Sequence, residues 1–189
     1  MGRDKACLPF GPELMLQRVV RLVSQVVDPN SVVVVAAAQQ VVPPLSNSIK
    51  LARDAYPERG PLEGLAAGLR ALGETADAIY ATSCDVPLLV PGFVEFLFQE
   101  LGEYWIAVPQ DDRYQHPLAA VYRRGVLDRI EALLAKGHLR PRDLFAEVPT
   151  RTIPVEALRA VDPDLSTLMN LNHPQDYEAA LRRAGFGPG

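Results

Sequence analysis

Asp85 stands just past an apolar, β-prone run, Ala78 to Thr82, and is followed at once by Val86 and Pro87. Apolar residues at nearly every position suit a strand buried on both faces, as in a parallel sheet covered by helices. Pro87 cannot donate to a strand ladder, so the strand must end close to Asp85. One carboxylate is thereby set at the carboxyl end of a strand, where open α/β sheets bind their ligands. Two readings of it compete: a ligand for a metal–phosphate group, and a cap for the helix that opens near Pro91. A second acid, Asp54, ends a brief strand from Ile49 to Arg53 and precedes the Gly/Pro-rich loop Gly60-Pro61-Leu62-Glu63-Gly64. Gly64 and Gly68 lie about one helical turn apart and would let the following helix approach another group closely. Asn172, ahead of His173-Pro174, has the character of an N-cap. His116, His138 and His173 share no metal-ligand spacing, and no serine–histidine–acid set is evident. Cys7 and Cys84 match neither a zinc nor a redox spacing, and Cys84 reads as a small buried hydrophobe suited to a reducing compartment.

The elements that must position these residues alternate along the chain. Gly11-Pro12 is read as opening a helix to about Val27, whose apolar stripe includes Leu16, Val19, Val23 and Val27. Ser31 to Ala38 reads as a buried strand, and the Gly60 loop runs into a helix ending near Leu72. After the Ala78 strand come a helix over Pro91–Leu101, strands near Trp105–Val108 and His116–Tyr122, and a helix over Gly125–Ala135. A shorter helix within Leu139–Val148, strands at Arg151–Val155 and Met169–Leu171, and a helix from Pro174 to about Arg183 complete the order. Residues 185–189 read as a frayed tail. Alternation of this kind favours an α/β three-layer sheet, mostly parallel, with right-handed crossovers.

Hydrophobic residues make up 48% of the 189 and charged residues 22%, enough for one domain with a sizeable core. A net charge of −4 argues against a general basic field for nucleic acid. The longest apolar runs are far too short to span a bilayer, and no signal-peptide core opens the chain. A soluble, cytoplasmic, single-domain protein over residues 1–189 is expected, with no nucleic-acid or membrane partner.

Several of these strand ends together resemble one family. Gly2-Arg3-Asp4-Lys5-Ala6 is similar to the end of the nucleotidyltransferase signature L-A-G-G-x-S-x-R-M-G-x-D-K. Asp54 and Gly60-Pro61-Leu62-Glu63-Gly64 resemble that family's acidic strand end and G-P-L-x-G loop, and Cys84-Asp85-Val86-Pro87 its C-D-x-P metal site. His116-Pro117, Arg140-Pro141-Arg142-Asp143-Leu144 and Asn170-Leu171-Asn172-His173-Pro174 fit in the same order. The set resembles the molybdenum cofactor guanylyltransferases. It departs from them in one respect: the glycine-rich half of the signature and the strand before it are missing, and residues 1–5 are a remnant of the phosphate loop. That strand would lie in the middle of the sheet, beside Ala78–Thr82. A start upstream of Met1 is the expectation, and a chain beginning at Met1 is expected to be unstable and weakly active.

The resemblance implies a Rossmann-like nucleotidyltransferase fold and transfer of GMP from GTP to the phosphate of molybdopterin-bound molybdenum, releasing pyrophosphate. Asp85 would hold magnesium, with Asn170 or Asn172 as a second, neutral oxygen and Asn170 the better candidate. Lys5 would offset charge on the triphosphate. Asp54, Gly60, Leu62 and Gly64 would bind the guanosine part, Asp54 directly or by ordering the loop. His116 is a candidate for the pterin side, and Arg140 and Arg142 for the pterin phosphate or an acidic partner. Proteins that deliver the cofactor or receive it for enzyme maturation are the expected partners. A CTP-using relative, a sugar-phosphate nucleotidyltransferase and a non-catalytic carrier that lost the phosphate loop remain open. A dinucleotide-binding dehydrogenase is disfavoured, since no G-x-G-x-x-G follows a first strand.

Overall fold

The computed structural model describes residues 4–54, 56–74 and 76–187. Met1, Gly2 and Arg3, which carry part of the signature, and Pro188 and Gly189 lie outside them. In chain order the elements are β1 (Pro9–Phe10), β2 (Glu13–Leu14), α1 (Met15–Val23), β3 (Val33–Ala37), β4 (Lys50–Asp54), α2 (Pro61–Leu72), β5 (Ala78–Thr82) and α3 (Pro91–Glu100). They continue with β6 (Ile106–Gln110), β7 (Ala119–Arg123), α4 (Leu127–Ala135), α5 (Pro141–Glu147), β8 (Thr150–Pro154), α6 (Val155–Leu158) and α7 (Pro174–Arg183).

Strand periodicity divides the core between two faces. Ile106, Val108, Ala120 and Tyr122 point to one side and pack with Leu62, Ala66 and Leu69 of α2 and with residues of α4 and α5. Ala107, Ala119, Val121 and Ile153 point to the other and pack with Phe93 and Leu97 of α3 and Leu158 of α6. Helices on both faces of a mixed sheet give the expected three layers. The sheet is in two pieces: β3 pairs β4 in parallel, and a separate set runs β5-β7-β6-β8. Only β7 is reversed, antiparallel to both β5 and β6, while β6 and β8 are parallel.

Some sequence expectations need correction. Gly11-Pro12 does not open the first helix. It turns the β1–β2 hairpin, with Gly11 at φ +65°, a conformation that only glycine adopts cheaply. Helix α1 starts three residues later, where the Gln17 side chain accepts the Leu14 N–H at 2.9 Å. Met169–Leu171 forms no strand; Leu171 instead donates its N–H to the Asp85 carbonyl at 3.0 Å. The described part of the tail is not frayed. The Phe186 ring meets Phe10 edge-on at 5.9 Å, and the Arg18 guanidinium lies over both rings. Strand β5 is half-buried rather than buried on both faces, and it is an edge strand of its set.

That edge borders a cavity of about 960 Å³, which runs between β5 and β3. Every residue of both strands borders it, so their backbone edges, not one side-chain face, form its walls. The break in the sheet thus falls beside Ala78–Thr82.

Candidate functional site

Residues 5–7 form a single 3-10 turn, capped by the Asp4 carboxylate accepting the Ala6 N–H at 3.0 Å. The same oxygen accepts from Gln40 Nε2 at 3.1 Å, just past the carboxyl end of β3. Lys5 reaches the other way. Its ammonium donates to Asp85 Oδ2 and to Asn172 Oδ1, both at 2.8 Å. The turn therefore bridges the carboxyl ends of the two sheet pieces. Asp85 is buried and its second oxygen accepts from Ser83 Oγ at 2.5 Å. Three segments far apart in sequence thus converge on one cation.

A lysine ammonium between a carboxylate and an amide oxygen marks a place with two hard donors. Among the described residues no three His, Cys, Asp or Glu side chains group as a metal cage. Magnesium needs none, because one or two protein oxygens suffice when phosphates and waters complete its shell. The donor set fits that ion.

Asn172 supplies the amide oxygen, where Asn170 was the better candidate from sequence. Leu171 is buried and anchored through its N–H to the Asp85 carbonyl, and of the two exposed asparagines that flank it, Asn172 faces Lys5. Asn172 is also not the cap of α7. The N-cap is His173, and the Asp176 carboxylate accepts the N–H groups of Asn172 and His173 at 3.1 and 2.8 Å. The signal was available in sequence: an acid three residues into a helix reaches back to its cap.

The Gly60–Gly64 segment lies on the cavity. Asp54, Gly60 and Gly64 border it together with Ala6, Ser83 and Cys84. Asp54 is buried, and its carboxylate accepts the Tyr56 N–H at 2.8 Å, which orders the turn into the loop. Gly60 takes φ +75° as the N-cap of α2. A Cβ at Gly64 would meet nothing within 4 Å, so this face of α2 stays open to the cavity. Leu62 does not border it. Its side chain is fully buried in the core with Ala66 and Leu69, as helical spacing demands.

Burial raises the Cys84 thiol to about 11, with the nearby Asp85 and Asp4 adding to the shift and Lys5 opposing it. The thiol is therefore protonated at neutral pH and no nucleophile. His116 lies at the same end of the sheet, since Ala119 pairs with Thr82 and both chains run on from there. Its Nε2 is 3.0 Å from Asp111 Oδ2. The backbone N–H groups of Tyr114 and Arg113 hold the Asp111 carboxyl below its ordinary range. Arg140, the N-cap of α5, and Arg142, within its first turn, are exposed.

The model of the MobA-like NTP transferase domain matches residues 1–152. The chain belongs to this family. Among curated relatives, the molybdenum cofactor guanylyltransferase of Desulfosudis oleivorans is 31% identical over 180 residues, covering 95% of this chain and 86% of its own. A probable molybdenum cofactor guanylyltransferase of Mycobacterium ulcerans is 35% identical, with 96% and 87% covered. The molybdopterin-guanine dinucleotide biosynthesis protein A of Archaeoglobus fulgidus superposes with a TM-score of 0.74 over 97% of this chain and 92% of its own, at 21% identity. At 15% identity, the 2-C-methyl-D-erythritol 4-phosphate cytidylyltransferase of Thermus thermophilus shares the fold with a TM-score of 0.71, covering 96% of this chain and 94% of its own. This member of the MobA-like family is thus a nucleotidyltransferase. Among its described residues no helix is long and apolar enough to cross a membrane.

Proposed function

We propose that this chain transfers GMP from GTP to the terminal phosphate of molybdopterin-bound molybdenum. An acceptor phosphate oxygen attacks the α-phosphorus, the bond to the β-phosphate oxygen breaks, and pyrophosphate leaves. The observation that carries the reading is the convergence of Lys5, Asp85 and Asn172 beside the cavity bordered by Asp54, Gly60 and Gly64. The names of the curated relatives supply the choice of guanine and of the pterin acceptor.

Such transfer needs positioning and charge neutralisation more than covalent help. Asp85 and Asn172 would hold magnesium, which when bound supplies Lewis-acid polarisation of the phosphate oxygens. Lys5 offsets the negative charge that grows on the leaving pyrophosphate. The Gly60–Gly64 backbone presents hydrogen-bonding groups to the base, and Asp54 fixes the turn that aims them. His116 stands on the acceptor side. The reaction consumes GTP, which belongs to the cytoplasm, and proteins that deliver the cofactor or take up the dinucleotide product are its natural partners.

The test is pyrophosphate release from GTP, CTP and ATP in the presence of magnesium and the molybdenum cofactor. GTP is expected to be preferred. Asp85→Ala is expected to abolish the magnesium-dependent part of GTP binding and to lower turnover by more than the roughly 10–100-fold that loss of an outer partner of a metal ligand costs. Undiminished turnover in that variant would remove Asp85 from the site, and a CTP preference would overturn guanylyl transfer.

A further inference from the structure

Glu63 is nearly fully buried, at 5% exposure, yet it is a carboxylate in the first turn of α2, between Pro61 and Gly64, which border the cavity. Burial of a charge is costly unless it is paired. Two guanidinium groups lie within ion-pair reach of it: Arg59 Nη1 is 3.0 Å from Oε2, close in distance but without hydrogen-bond geometry, and Arg70 Nη1 donates to Oε1 at 3.4 Å. The two arginines differ in what else they do. Arg70 is half exposed and turns outward to Glu131 at 2.8 Å. Arg59 turns inward, donating from Nη2 to the Leu134 carbonyl at 2.6 Å, with its guanidinium over the Tyr56 ring. Its own backbone N–H donates to the Tyr56 carbonyl at 2.9 Å, and the Tyr56 N–H is the one held by Asp54. Gly60, at positive φ, follows directly.

We propose that Glu63 is a positioning residue for the nucleotide-base loop. Acting through Arg59, it fixes the turn from Asp54 to Gly60 against α4 and so sets where the backbone at Gly60 meets the base. The inference rests on the guanylyl-transfer reading for the identity of the ligand. Glu63 also sits in the first turn of α2, where a negative charge favours the helix in any case. A helix-stabilising role alone would lower thermal stability without changing nucleotide preference.

The deciding experiment compares the intact chain with Glu63→Gln and Arg70→Gln in three measurements: calorimetric binding of GTP and CTP with magnesium, turnover, and melting without nucleotide. Glu63→Gln keeps the side chain's shape but removes the charge that holds Arg59. It is expected to weaken GTP binding about tenfold, to narrow the preference over CTP, and to raise KM while leaving kcat within about twofold, the pattern of lost ground-state binding. Arg70→Gln, on the outer side of the same carboxylate, is expected to change none of these. Unaltered GTP affinity in Glu63→Gln, an equal shift in Arg70→Gln, or a fall in kcat and melting temperature at constant KM would each overturn the proposal. An intact chain that binds GTP without turnover overturns the transfer reading and leaves the affinity comparison decisive. An intact chain that binds no GTP overturns both.

Discussion

At the scale of single residues, the two asparagines near the C-terminus separate what sequence can show from what it cannot. Both flank Leu171, and only the fold decides which faces Lys5. Asn172→Ala is expected to lower the GTP turnover rate on the order of tenfold, through loss of one neutral oxygen donor, while Asn170→Ala leaves it unchanged. Steady-state rates at several magnesium concentrations check this, and the reverse order would return the role to Asn170. Gly64 carries a second residue-scale prediction. It is a glycine inside a helix, and a Cβ there meets open space, so Gly64→Leu is expected to keep or raise the melting temperature. Replacing a helical glycine with a helix former gains roughly 0.5–1 kcal/mol, worth about 2–4 °C per kcal/mol in a chain of this size. The same side chain enters the cavity, so calorimetry is expected to show GTP binding strongly weakened. A variant that is more stable and still binds GTP normally would move the nucleotide elsewhere. That Asp85 and Lys5 come together was legible in two ways: the strand end singled out Asp85, and the family resemblance alone singled out Lys5. Glu63 and Asp162 were not, because nothing in a sequence marks which acids are buried.

At the scale of elements, Asp162 shows how the Asn172 segment is held. Its carboxylate is almost completely buried and accepts the N–H groups of Ser166 and Thr167 at 2.9 and 2.8 Å. The Thr167 hydroxyl in turn accepts the Val90 N–H at 3.0 Å, at the start of α3. The chain from α6 to α7 is thereby tied to the helix that follows Asp85. Asp162→Ala takes the carboxylate from one buried donor, the Thr167 N–H, and one part-buried donor, the Ser166 N–H, at a cost of about 1–3 kcal/mol for the buried one. A clear drop in melting temperature is expected, together with loss of magnesium-dependent binding as Asn172 loses its support. Full retention of both in thermal melts and GTP titrations would show that Leu171 alone holds the segment. Most element types could be read from periodicity, because β6 and β7 alternate faces and α4 repeats its apolar stripe. The hairpin at Gly11-Pro12 could not. A proline after glycine suits a helix start as well as a tight turn, and tertiary packing of Phe10 under α7 and Phe186 decided it.

At the scale of the whole molecule, the sheet is the element whose continuity is broken. The β3–β4 pair joins the larger set not through strand hydrogen bonds but through helices. Residues of α1 pack with Val32 and with Val86, Leu89 and Val94, and α2 lies on β3, where a Cβ at Gly68 would come 3.3 Å from Val35. The backbone edges of β3 and β5 meanwhile face the cavity. Stability is not uniform in such an arrangement: segments with open backbone hydrogen bonds exchange by local opening, and fully paired strands only by global unfolding. Amide hydrogen exchange followed by mass spectrometry is therefore expected to rank β6 and β7 as most protected, with β3, β4 and β5 exchanging earlier. Adding GTP and magnesium stabilises whichever state binds them, by linkage. Protection is then expected to rise in the segments around Lys5, Gly60–Gly64 and Cys84–Asp85, because these border the same cavity from three directions. Uniform protection across all strands without ligand would mean that the two sheet pieces open as one unit. A rise confined to α5 and the Arg140–Arg142 turn would place the triphosphate on the exposed arginines instead of at Lys5 and Asp85.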